Sequence, residues 1–187
     1  MKTKIGIVGQ GFVGTAIREG LGHIFNVQTY DKFKDDASTC ADLQELSKKV
    51  EVLFVCLPTP MNQDGSCNLS IIESVIGELD SYGNNNIAII KSTIPPGTTK
   101  MLNSRCKNLK IVFSPEFLTE ANFIDDFKNQ NRIIIGGPRP ASTKVKNLFT
   151  KAFPEVKIIK TGSNTAESVK YFTNCFLTMK VAFANEF

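Results

Sequence analysis

The chain of 187 residues has 22 basic and 18 acidic side chains, a net charge of +4, with 42% hydrophobic and 21% charged residues. That balance describes an ordinary globular chain able to bury a core without staples, and it excludes a disordered one. The charges are spread without a basic block, which excludes a nucleic-acid footprint, and the longest apolar run, Val52–Leu57, is far below the ~18 residues of a membrane span.

Apolar runs of strand length recur, and most are followed by a helix-like stretch. Lys4–Val8 reads as the first strand and Phe12–Gly22 as a helix behind a glycine turn. Val27–Tyr30 follows as a strand, Cys40–Lys48 as a short amphipathic helix and Glu51–Leu57 as the third strand. Leu69–Leu79 is helical, with Ile72, Val75, Ile76 and Leu79 at i, i+3, i+4 and i+7. Strands at Ile87–Ile90, Ile111–Phe113, Arg132–Ile135 and Val156–Ile159 continue the series, with helices around Thr98–Arg105 and Thr143–Phe153. Strands apolar on both faces, alternating with helices, predict an α/β fold: a doubly wound, mostly parallel sheet covered on both sides.

The last stretch differs. Asn164 with Glu167 three residues on reads as a capping-box start, and no Gly or Pro interrupts Thr165–Phe187, so a helix of about 35 Å is expected. One face carries Phe172, Cys175, Phe176, Met179, Ala182 and Phe183, and a second patch carries Ala166, Leu177, Val181 and Ala184. A helix apolar on two sides wants burial on two sides. It reaches Phe187 with no exit signal, so it is expected to continue beyond that residue. The division expected is residues 1–162 as one domain and 163–187 as the start of a long connecting helix.

Five scattered cysteines (Cys40, Cys56, Cys67, Cys106, Cys175) without a C-x-x-C pair, and the single His23, argue against disulfides and a metal site. Free thiols in a cytoplasmic protein are the expectation. Met1 leads through Lys-Thr-Lys straight into a strand, so no signal peptide is expected.

Gly9, Gly11 and Gly14 form G-x-G-x-x-G between the first strand and the first helix. Gly9 would make the tight turn, Gly11 would let backbone approach a pyrophosphate, and Gly14 would let helix and strand pack closely. Asp31 ends the second strand, placed to accept hydrogen bonds from an adenosine ribose and to repel a 2′-phosphate. That favours NAD over NADP, with Lys32 and Lys34 beside it pulling the other way. Leu57-Pro-Thr-Pro60 and Lys91-Ser-Thr-Ile-Pro-Pro-Gly97 close two further strands, offering Thr59, Ser92 and Thr93 as hydroxyls; loop rigidity and ligand contact both account for them. Glu116 and Glu120 are four apart and would share a face on a helical turn, as solvated charge or as a functional pair. Lys170 and Asn174 repeat that spacing on the narrow polar side of the last helix, as a snorkelling pair or as donors to a developing charge. The Asp125-Asp126 pair reads as a solvated turn.

In order along the chain, GIVGQGFVG, Asp31, LPTP, KSTIPPGTT, FSPEFLTEANFIDD, RIIIGG and AESVKYFTNCFLTMKVAFANEF resemble the nucleotide-sugar dehydrogenases that include UDP-glucose 6-dehydrogenase. The resemblance implies a Rossmann-like NAD-binding domain. It also implies a four-electron oxidation of a sugar's primary alcohol with two NAD, through an aldehyde and a thioester on a cysteine. Gly9, Gly11, Phe12, Val13, Gly14, Asp31, Pro58, Thr59 and Thr93 then match the cofactor site. Thr93 also matches the threonine that helps hold the catalytic water, Glu120 a glutamate of thioester hydrolysis, and Glu116 the second active-site glutamate. Lys170 and Asn174 match the oxyanion-stabilising pair and, with Phe117 and Leu118, the substrate contacts. Thr119 stands where the family usually has Arg.

The family's nucleophile lies in a G-x-G-G-x-C-x-P-K-D segment of a second domain, and no cysteine here has that context. The resemblance therefore implies the NAD-binding half alone, inactive by itself, acting on a UDP-sugar and dimerising through the last helix or a further domain. Two alternatives stand beside it: a 3-hydroxyacid or 6-phosphogluconate-type dehydrogenase, and a non-catalytic NAD-binding oligomerisation module.

Overall fold

The computed structural model describes residues 2–187; Met1, on which the signal-peptide expectation partly rests, lies outside them. Seven strands build one sheet: β1 (Lys4–Val8), β2 (Asn26–Tyr30), β3 (Val52–Val55), β4 (Ile87–Ile90), β5 (Lys110–Phe113), β6 (Arg132–Gly136) and β7 (Lys157–Thr161). Their spatial order is β2-β1-β3-β4-β5-β6-β7. All pairings are parallel except that of β5 with β6, which meet antiparallel at Phe113 and Gly136. The helices are α1 (Phe12–Leu21), α2 (Leu43–Lys49), α3 (Ser70–Ser81), α4 (Thr98–Arg105), α5 (Phe123–Lys128), α6 (Ala141–Ala152) and α7 (Ser163–Glu186).

Alternation along each strand sorts the core into two layers. Ile5, Ile7, Val52, Phe54, Ile87 and Ile89 face α1, α5 and α6, meeting Ile17, Leu21, Phe127, Val145 and Phe149. Leu53, Val55, Ala88 and Ile90 face the opposite way, under Leu46, Ile72, Ile76, Leu102 and Ala166 of α2, α3, α4 and α7. Burial on both faces is the reason the strands read as near-continuous apolar runs. This is the expected Rossmann-like doubly wound α/β fold, followed by the long last helix.

Several boundaries move for local reasons. α2 starts at Leu43, not Cys40, because the N-cap Asp42 accepts the Glu45 amide at 2.7 Å while Glu45 reaches back to accept the Ala41 amide at 2.6 Å. β3 stops at Val55 because the chain turns away into Leu57-Pro-Thr-Pro60, where the Leu57 amide donates to the Ser92 hydroxyl. Asp125 and Asp126 do not form a solvated turn: they sit in the first turn of α5, where acids favour the helix dipole. α7 begins at Ser163 behind Gly162 without a side-chain cap, so the Asn164–Glu167 capping box does not form. Its early residues Ala166, Glu167 and Lys170 are buried, whereas Phe172, Phe176, Leu177, Met179, Val181 and Phe183 are exposed. The two-sided burial expected of this helix is met on one side of its first turns only.

Candidate functional site

The strand order reverses between β1 and β3, whose carboxyl ends frame a cavity of about 820 Å³. Open α/β sheets bind ligands at such a switch point. Of the residues expected to hold the cofactor, Gly9, Gly11, Phe12, Val13, Asp31, Pro58, Thr59 and Thr93 line this cavity. Gly14 does not, being buried behind the turn: a Cβ on it would stand 1.9 Å from the Gly9 carbonyl oxygen. Gly9 holds a left-handed φ of +92°, and a Cβ there would meet the Cys56 carbonyl oxygen at 2.4 Å. A Cβ on Gly11 would meet nothing within 4 Å. Gly9 thus makes the turn and Gly14 the close packing, while Gly11 leaves open space at the start of α1.

The cavity fits a dinucleotide. α1 opens on Gly11 with no side-chain cap and no acid in its first turn, so the positive end of the helix is left for an anion. Asp31 accepts the Gln10 amide at 2.6 Å and the Phe33 amide at 2.9 Å, which fixes the carboxylate at the cavity wall with lone pairs to spare for hydroxyls. Lys34 donates to the Gln10 carbonyl at 2.9 Å, so its ammonium is engaged by the glycine loop. Tyr30, Leu43, Ile71 and Val75 give the outer end an apolar lining suited to a base.

The two proline-bearing loops are stitched to each other. The Ser92 hydroxyl donates to the Leu57 carbonyl at 2.6 Å and accepts the Leu57 amide at 3.0 Å, and the Thr59 hydroxyl donates to the Thr93 carbonyl at 2.9 Å. Ser92 and Thr59 therefore spend their hydroxyls on backbone, and Thr93 is carried to the cavity wall on a braced segment.

At the β5 end of the cavity stands a cluster of charges. Lys170 of α7 donates to Glu116 at 2.7 Å, both side chains largely buried, and Glu116 also accepts the Leu118 amide at 2.7 Å. The segment from Ser114 to Thr119 is not helical, so the shared helical face expected of Glu116 and Glu120 is absent. Glu116 turns inward and lines the cavity, while Glu120 is exposed. Asn174, one turn beyond Lys170, is exposed as well. Phe117 and Leu118 line a second cavity of about 350 Å³ that shares Lys91 and Glu116 with the first. The Phe117 ring lies 5.7 Å from the Lys170 ammonium and 4.8 Å from the Arg132 guanidinium.

Lys91, the first residue of the Lys91–Gly97 loop, has no role that the sequence alone reveals. It is buried, donates to the Pro115 carbonyl at 3.1 Å and lies over the Phe149 ring at 5.9 Å. Burial pulls its pKa down to about 8, against the pull of Cys56 and Glu116. The available signal was its place directly after the four apolar residues of β4. Cys56, the cysteine lining the large cavity, has its thiol pushed up to about 12 by burial, the wrong direction for a nucleophile. Among the described residues no cluster of His, Cys, Asp and Glu could hold a metal ion, and no helix is long and apolar enough to cross a membrane.

Comparison with known proteins agrees with this geometry. Residues 32–153 match the model of the UDP-glucose/GDP-mannose dehydrogenase family, NAD binding domain. A UDP-glucose 6-dehydrogenase of Campylobacter jejuni is 37% identical over 138 residues, covering 71% of this chain and 35% of that protein. A UDP-N-acetyl-D-mannosamine dehydrogenase of Methanococcus maripaludis is 32% identical over 152 residues, covering 78% of this chain and 35% of that one. The solved UDP-glucose dehydrogenase of Pyrobaculum islandicum shares the fold with a TM-score of 0.89 at 23% identity, covering all of this chain and 52% of its own. The chain thus matches about a third of the length of these curated relatives and about half of that solved structure. The chain belongs to the UDP-glucose/GDP-mannose dehydrogenase family and carries its NAD-binding domain.

Proposed function

We propose that this chain is the NAD-binding half of an enzyme that oxidises the primary alcohol of UDP-glucose to the carboxylate of UDP-glucuronate, with two NAD per turnover. The buried Lys170–Glu116 ion pair, whose Glu116 end lines the cofactor cavity, carries the proposal. NAD, when bound, supplies the hydride acceptor. The Lys170 ammonium stabilises the substrate oxygen as charge develops on it, and Glu116 holds that ammonium in place and moves protons beside it. Thr93, on its braced loop, orients the attacking water. Glu120 and Asn174 complete the acid and amide contacts from the exposed sides of the same two segments, and Phe117 and Leu118 line the sugar's path. Residues 1–162 are the cofactor unit, and 163–187 begin the connecting helix, whose exposed apolar faces pair two copies of the chain.

The second oxidation needs a nucleophilic thiol. The high pKa of Cys56 supports a cysteine supplied from outside this chain. UDP-glucose is favoured by the Campylobacter relative, and UDP-N-acetylmannosamine is the second reading, favoured by the Methanococcus relative. Membership of the family sets aside the hydroxyacid and 6-phosphogluconate reading.

The test is NADH formation from each nucleotide sugar. The chain alone is expected to give none. Joined with the cysteine-bearing domain of a family member, it is expected to oxidise UDP-glucose faster than UDP-N-acetylmannosamine. Formation of UDP-glucuronate by the chain alone, with two NADH per sugar, overturns the external cysteine, and the reverse preference overturns the substrate.

A further inference from the structure

Glu167 carries a charge into the core with no exposed surface. Burying a carboxylate is costly unless its oxygens are paired, and here each takes one backbone amide. One oxygen accepts from the Gly97 amide at 2.6 Å and the other from the Thr99 amide at 2.7 Å. Both amides belong to the amino-terminal end of α4, which has no side-chain cap of its own and no acid in its first turn. The missing capping carboxylate therefore arrives from another helix, about seventy residues further along the chain.

One turn later on the same helix, Lys170 reaches Glu116 on the loop after β5. Two opposite charges from adjacent turns of α7 thus grip two different strand-end loops. The loop gripped by Glu167 also carries Thr93, joined to Gly97 by buried Ile94 and the pair Pro95-Pro96, whose fixed φ leaves little slack.

We propose that Glu167 is a positioning residue: it latches the first turns of α7 to α4 and thereby holds the Lys170–Glu116 pair in register with Thr93. The functional meaning of that register rests on the reading above, while the latch does not. Glu167→Gln keeps the size but turns an amide nitrogen towards one of the two N–H groups, so one bond is replaced by a donor facing a donor.

The test is acetylation of the intact, cofactor-free chain with N-acetoxysuccinimide, read at each lysine by mass spectrometry. In Glu167→Gln, Lys170 is expected to label about tenfold faster than in the wild type, as loss of a charged buried hydrogen bond implies. Lys91, equally buried and bonded to the same β5 loop, is the internal control and is expected to stay within about twofold. Glu167→Asp, which keeps the charge and withdraws it by one methylene, is the variant to use if the glutamine form does not fold; there Lys170 is expected to gain about threefold. An unchanged Lys170 overturns the proposal, and so do equal gains at Lys91 and Lys170, since they mark a general loosening. The measurement uses no cofactor, so its failure is separate from failure of the cofactor reading.

Discussion

Gly11 and Gly14 separate binding from folding at single positions. A Cβ at Gly11 enters open space at an ordinary extended φ of −76°, so Gly11→Ala is expected to shift stability by no more than ~0.5 kcal/mol. That methyl occupies the approach to the helix amides, and NAD affinity is expected to fall by about tenfold or more, as measured by titration calorimetry. Gly14→Ala instead drives a Cβ into the Gly9 carbonyl oxygen and should lower the unfolding midpoint itself, by an overpacking cost of about 1–3 kcal/mol. Equal unfolding midpoints for the two variants would contradict this division. Lys91 adds a pH signature. Its pKa in the fold is about 8, below the 10.5 of the free side chain, so between these values the unfolded chain binds more protons. Stability owed to this residue is then lowest below pH 8 and rises towards pH 10.5. Wild type should gain on Lys91→Met as the pH is raised through that window, and parallel denaturation curves would refute it.

Among the elements, α7 is the one whose two ends behave differently. Ala166, Glu167 and Lys170 are buried against the sheet and α4, whereas Phe172, Met179, Val181 and Phe183 contribute exposed apolar surface. Removing residues 173–187 is expected to leave the unfolding midpoint within about 4 °C, since little burial is lost. The whole chain is expected to form dimers in sedimentation equilibrium and the same deletion to abolish them; persistent dimers after deletion would place the contact elsewhere. The alternating strands and periodic helices were legible because each records its own burial pattern locally. α5 was not, because six residues span too few turns to leave a period. Glu167 was misread as a local cap for a different reason: its partners are Gly97 and Thr99, and no local spacing encodes a contact at that separation.

For the molecule as a whole, the glycine loop, Asp31 and the stitched loops converge on one cavity at the β1–β3 switch point, as their order along the chain implied. The inward turn of Glu116 and the outward place of Glu120 could not be read from a four-residue spacing, because an irregular loop, not a helix, carries them. We propose that this cavity is built for NAD, with Asp31 at the ribose. Titration of NAD and of NADP into the chain, followed by calorimetry, tests it most directly. One NAD site is expected, with NADP at least about tenfold weaker because its 2′-phosphate meets the Asp31 carboxylate. Equal affinity for the two, or no binding of NAD, would contradict it.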